Sequence, residues 1–212
     1  MLGFGKATPF DRDATLRKAE EFRGKKKPKK AIAELEKVLK LNPRDAAAHA
    51  KLGPLLVQTG HPKRALESFR VAADDLDARG FADKALSLWL QIAQTAVSDV
   101  PAWQKVAQFH AMRGRKADGV KVLMQAVDVQ EGREGRTRAV VLLRDVLLFD
   151  PRHLDGTLRL AKLLVKDGHK DEARALLDNA LSFSAGPSTK RVRKAQFSLF
   201  PGFGTFWRWL RA

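Results

Sequence analysis

Cysteine is absent from this 212-residue sequence, and with it go disulfides, zinc-thiolate sites and thiol nucleophiles. Long apolar runs are absent too, since no stretch approaches the roughly 18 uncharged apolar residues that a membrane-spanning helix needs. The opening MLGFGKATPFDRD lacks the apolar core of a secretory signal, which predicts a cytoplasmic protein. Serine stands in no nucleophile elbow. The five histidines never pair at i, i+4 and no HExxH occurs, so a metal site is not expected. His61 and His169 follow turn glycines, His49 and His110 fall at packing positions, and His153 opens a helix. The GREGR stretch at 132–136 lacks the strand before it and the Lys-Ser or Lys-Thr after it that a phosphate loop requires, and it is expected to be a helix-breaking loop. These absences point away from an enzyme and from any cofactor.

What is present is a globular share of hydrophobic residues, 44%, and a formal charge of +16 that is unevenly spread. Residues 1–43 carry twelve Lys or Arg against six acids, and residues 186–212 carry six against none. The last seventeen residues, QFSLFPGFGTFWRWLRA, hold six of the sixteen aromatic side chains.

A repeat organises the middle. Leu52, Gly53, Leu56, Gly60, Ala65, Phe69 and Ala72 recur at the same offsets as Val106, Ala107, His110, Gly114, Gly119, Leu123 and Ala126, and again as Leu160, Ala161, Leu164, Gly168, Ala173, Leu177 and Ala180. Trp103 and the closing prolines Pro43, Pro101 and Pro151 fall in register. A first, looser unit carries Ala19, Phe22, Ala31, Leu35 and Pro43. This pattern resembles the tetratricopeptide repeat, a 34-residue helix-turn-helix unit. The resemblance implies an all-α fold, a right-handed α-solenoid of stacked antiparallel helix pairs, in which small residues admit close helix approach and large ones fill the space between. The expected organisation is an N-terminal extension at 1–11, a repeat domain at 12–184 and a basic, aromatic tail at 185–212. Ten helices are expected, near 12–23, 29–41, 45–59, 62–79, 82–97, 100–113, 116–132, 136–149, 152–167 and 170–184. The helix from 62 should run long, and Pro54 should kink its helix near Ala50 to Pro54. The apolar stretch AVVLLRDVLLF at 139–149 predicts a packed central helix, with a dimer face as the alternative.

The resemblance also implies a concave groove lined by the first helix of each unit. At the matching positions the lysine and asparagine clamp of chaperone-binding members is missing. The candidate groove residues are Pro54, Val57, Gln104, Gln108, Met112, Leu158, Lys162 and Val165, a mostly apolar and amide surface suited to a peptide. The candidate tail residues are Phe197, Phe200, Phe203, Phe206, Trp207, Arg208, Trp209, Leu210 and Arg211; Phe203, Phe206, Trp207 and Leu210 share one helical face. Three readings of the tail stay open: a cap on the last hairpin, an anchor for a protein partner or a second copy of this chain, and a membrane-surface contact. The expected function is a non-catalytic protein-interaction scaffold or adaptor within a larger assembly. The alternative is a basic tether to nucleic acid or to an anionic membrane periphery.

Overall fold

The computed structural model describes residues 10–202, and among them every regular element is an α-helix. In chain order these are α1 (Arg12–Gly24), α2 (Pro28–Leu41), α3 (Ala46–Gln58), α4 (Pro62–Ala78), α5 (Ala82–Thr95), α6 (Val100–Met112), α7 (Lys116–Asp128), α8 (Gly132–Phe149), α9 (Leu154–Lys166), α10 (Lys170–Phe183) and α11 (Pro187–Leu199). The chain divides after Ala96 into one unit holding α1 to α5 and another holding α6 to α11. Within each unit every helix packs on the next, so each is a stretch of all-α solenoid built from helix pairs, as expected.

Two local rules build these hairpins. The first concerns entry. Only α1, α3, α6 and α9 begin with a side-chain cap: Asp11, Asp45 and Asp99 accept from the amides of Ala14, Ala48 and Ala102, and His153 Nδ1 accepts from the amide of Gly156. The second concerns the tight turn that follows α1, α3, α4, α6 and α9. A residue of positive φ closes each helix, and the next amide bonds back toward the last turn, as from His61 to the Leu56 carbonyl at 2.8 Å and from His169 to that of Leu164 at 2.8 Å. Glycine fills that position at Gly60, Gly80, Gly114 and Gly168, while in the first hairpin Lys26 takes it with φ 53°.

The core follows from one spacing. Helices that close a tight turn bury an alanine, then a large residue at i+4 and a second aliphatic at i+7: Ala31, Leu35 and Val38 in α2, Ala65, Phe69 and Ala72 in α4, Ala173, Leu177 and Ala180 in α10. The same spacing reappears as Ala85, Trp89 and Ile92 in α5 and as Ala139, Leu143 and Val146 in α8. A second closing helix therefore follows α4 and α7. α3, α6 and α9 begin at residues 46, 100 and 154, an interval of 54, and α4, α7 and α10 begin at 62, 116 and 170, the same interval. After a first hairpin of 34 residues, from Arg12 to the start of α3, the repeating object is three helices. The residues after α2, α5 and α8 exit with similar extended angles: Asn42 at φ −131°, ψ 91°, Ala96 at −126°, 79°, and Asp150 at −135°, 91°.

The helix from Pro62 does run long, at 17 residues. α3 continues through Pro54, whose ring lies on the exposed face, so the helix bond lost at Pro54 lies on the solvent side. GREGR is not a loop, because Gly132 opens α8 with φ 70° and Gly135 is buried in its first turns against Gln130. The stretch from 185 contains an eleventh helix beyond the ten expected: Gly186 with φ 54° turns the chain, Pro187 starts α11, and α11 packs on α9 and α10 with Val192 fully buried. Its i+4 residue is Gln196 rather than an aliphatic, and the buried amide donates to Asp178 Oδ1 at 2.6 Å.

Candidate partner-binding site

In the first unit the candidate groove residues sit on the outer face of α3. Leu52, Gly53, Leu55 and Leu56 face the core, which leaves Pro54 exposed and Val57 44% exposed one turn on. Lys51 reaches back to Glu20 of α1 at 2.6 Å and fixes that face beside the first helix.

In the second unit, α6 presents Gln104 and Gln108. Gln104 Nε2 donates to Asp145 Oδ2 of α8 at 2.7 Å, and both glutamines line, with Leu148, a small cavity of about 50 Å³. Met112 at the end of α6 and Leu148 on α8 are 84% and 75% exposed, large apolar side chains left in water. Along the rest of α8, Ala139, Leu142, Leu143 and Val146 are buried against neighbours, and Val141 and Leu148 are its exposed aliphatics. It is a packed helix with a narrow outer stripe.

Leu158 and Val165 on α9 are half-buried, and Lys162 is exposed between them. A cavity of about 710 Å³ opens between α7 and the turn from α8 to α9, with Val120, Met124, Phe149 and Pro151 in its wall and Lys116 and Lys121 among its polar lining. Arg159 borders it, bonded to Asp128 and, at 2.8 Å, to Asp155. The Asp128 hydrogen bond raises the Arg159 pKa above its ordinary value against the opposing effect of burial, so this cation is fixed at any working pH. Two further cavities, of about 230 and 630 Å³, lie between α8 and α9 and share Arg136 and Lys166 in their linings. Arg133 and Arg136 escape a reading of the sequence because GREGR suggests a loop; once Gly132 starts α8, they stand near Lys162 and Lys166. Among the described residues no three His, Cys, Asp or Glu side chains gather as metal ligands.

The candidate tail is only partly within the described residues. Phe197 and Phe200 are half-buried at the end of α11, with the Arg174 guanidinium 4.8 Å above the Phe200 ring. Phe203, Phe206, Trp207, Arg208, Trp209, Leu210 and Arg211 lie outside the described residues. No described helix is long and apolar enough to cross a membrane.

The tetratricopeptide-repeat model matches residues 14–45, which cover α2 and nearly all of α1. No curated protein matches the sequence closely enough to count as a relative. Solved structures similar to this chain include PilF of Pseudomonas aeruginosa, 17% identical over 94% of this chain and 87% of that one, with a TM-score of 0.31. Another is a thermophilic tetratricopeptide-repeat protein of Thermus thermophilus, 21% identical over 95% and 87%, with a TM-score of 0.32. A third is YrrB, a tetratricopeptide-repeat protein with an unusual peptide-binding site, 16% identical over 87% and 92%, with a TM-score of 0.30. The chain thus carries a tetratricopeptide repeat at residues 14–45, and the small-residue spacing of its helices continues through the hairpins that follow.

Proposed function

We propose that this chain is a non-catalytic scaffold that holds segments of partner proteins together in a multi-component assembly, working in the cytoplasm or at the membrane periphery. The observation that supports this most directly is the outer surface of the second unit. There Met112 and Leu148 stand in water, and the apolar wall of a 710 Å³ cavity opens beside charged residues. Apolar area left uncovered in an otherwise charged surface stabilises a complex when a partner covers it, by about 25 cal/mol per Å². In the second unit the groove positions Gln104, Gln108, Leu158, Lys162 and Val165 add to the docking surface, Pro54 and Val57 offer a separate one in the first unit, and the aromatic residues from Phe203 to Leu210 supply a further attachment. Self-association is one form that attachment can take.

The test is affinity purification from the native organism with three forms: the full chain, the full chain carrying Met112→Lys and Leu148→Lys, and a form ending at Gly202. The cut at Gly202 spares Val192 and Gln196, so α11 keeps its packing. Loss of the same captured proteins from either altered form, with melting unchanged, supports the scaffold. Capture unaffected by both alterations contradicts it. Binding to anionic vesicles or oligonucleotides at low salt that falls steeply as salt is raised favours a basic tether.

A further inference from the structure

Four cations meet between α8 and α9 with no acid to account for them. Arg133 and Arg136 come from the first turns of α8, and Lys162 and Lys166 stand one turn apart on α9. None of the four has an ion-pair or hydrogen-bond partner among the described residues. The one carboxylate in the linings of these two cavities is that of Asp167, which is exposed at the end of α9. Two other arginines of α8 do find acids: Arg138 pairs with Glu134 at 3.5 Å and Arg144 with Glu172 at 2.8 Å.

Folding does not ask for these charges. Arg133 stands in the first turn of α8, where the helix dipole disfavours a cation. Lys162 and Lys166 occupy positions filled by Gln108 and Met112 one 54-residue interval earlier, and by Pro54 and Gln58 two intervals earlier. Stacking the helices therefore needs no lysine at either place. The cavity floor is apolar, formed by Val127, Ala139, Leu143 and Leu163.

We propose that this cleft between α8 and α9 is a recognition site for an acidic partner peptide, whose carboxylate side chains meet Arg133, Arg136, Lys162 and Lys166 while a neighbouring aliphatic side chain enters against Leu143 and Leu163. The proposal rests on the scaffold reading and gives one partner segment its chemistry. A peptide fits better than a nucleic acid because no Phe, Tyr or Trp side chain lines either cavity and His169 is the one ring there, whereas the apolar floor suits a leucine-sized side chain.

The experiment uses the full chain and fluorescein-labelled ten-residue probes read by anisotropy: one alternating Asp-Glu pairs with leucine, one with serine in place of each leucine, and a ten-nucleotide single-stranded oligonucleotide. The Asp-Glu-Leu probe is expected to bind at least threefold tighter than the serine probe. Lys162→Glu with Lys166→Glu, both exposed, is expected to weaken it at least tenfold with helicity and melting unchanged. A control reversal at the exposed Lys25 and Lys29 is expected to leave affinity within twofold. No binding by the unaltered chain, equal loss from the control reversal, or tighter binding of the oligonucleotide lost through the same two lysines each overturns the proposal. Capture from extract separates the two ideas. If partners survive Lys162→Glu with Lys166→Glu but vanish with Met112→Lys and Leu148→Lys, the scaffold stands and the acidic-peptide cleft falls.

Discussion

His153 caps α9 through space that Gly156 leaves empty. The ring Nδ1 accepts from the Gly156 amide at 3.0 Å, and a Cβ on Gly156 would lie 2.9 Å from that nitrogen and 3.0 Å from Val146 Cγ1. At the equivalent places in α3 and α6 the pairs are Asp45 with Ala48 and Asp99 with Ala102, a shorter cap with room for a methyl. Gly156→Ala is therefore expected to lose the cap and to destabilise by about 1–2 kcal/mol. Adding His153→Asp to Gly156→Ala should recover most of that loss. Urea midpoints of the two single variants and the double variant measure the coupling, and additive losses would contradict it.

Gly53 makes a tighter approach. A Cβ there would sit 2.3 Å from Cε1 of Phe69, a ring that is fully buried and has nowhere to swing. Alanine would otherwise favour the middle of a helix over glycine by about 1 kcal/mol. The overlap outweighs that gain, so Gly53→Ala should lower stability by about 1–2 kcal/mol net. Phe69→Leu in the same chain should make Gly53→Ala less costly, which thermal melts of the four forms would show.

Asp45 brings a pH dependence. Its carboxylate takes the Arg12 fork at 2.5 and 3.0 Å and the Ala48 amide at 2.9 Å. The Arg12 hydrogen bond is the largest influence holding its pKa below the ordinary carboxylate value, with burial opposing and the Ala48 amide assisting. The folded chain thus binds a proton there less readily than the unfolded one. The stabilisation is present above the unfolded pKa of about 3.9 and is lost as pH falls through the folded value. The difference in unfolding free energy between the unaltered chain and Asp45→Asn should be greatest at pH 5 and above and should shrink below about pH 4, a trend that denaturant titrations at several pH values can check.

Lys26 occupies a backbone region that its side chain disfavours. It holds φ 53° where the other tight turns have glycine, and its amide and that of Lys27 bond to Arg23 and Phe22 as in those turns. Removing the Cβ strain should outweigh glycine's entropy cost, so Lys26→Gly is expected to stabilise the first unit by about 0.5–1 kcal/mol. A lower melting temperature for Lys26→Gly would refute this.

The opening helices, the tight turns and most of the core were legible in sequence. The spacing of Ala65, Phe69 and Ala72 and the turn glycines at Gly60, Gly114 and Gly168 obey short-range rules that do not depend on what packs nearby. The start of α8 was hidden, because two glycines within GREGR suggest a break, whereas Gly135 is there because a Cβ on it would lie 3.0 Å from the backbone carbonyl carbon of Gln130. α11 was hidden for a related reason. A cap on the last hairpin was one of three readings of its KRVRK stretch, and nothing local chose among them, since Gln196 is a core residue only because Asp178 stands opposite to satisfy its amide. The α8 to α9 cleft inherits the first difficulty. Lys162 was marked by its place in the repeat, but its companions Arg133 and Arg136 depend on where α8 begins.

The constant interval between α3, α6 and α9, joined to the recurring exit geometry at Asn42, Ala96 and Asp150, makes length a separable property of this molecule. A chain gaining or losing one such cassette would keep similar exit backbone angles at each splice, while the outward-facing chemistry of each cassette stays free to diverge.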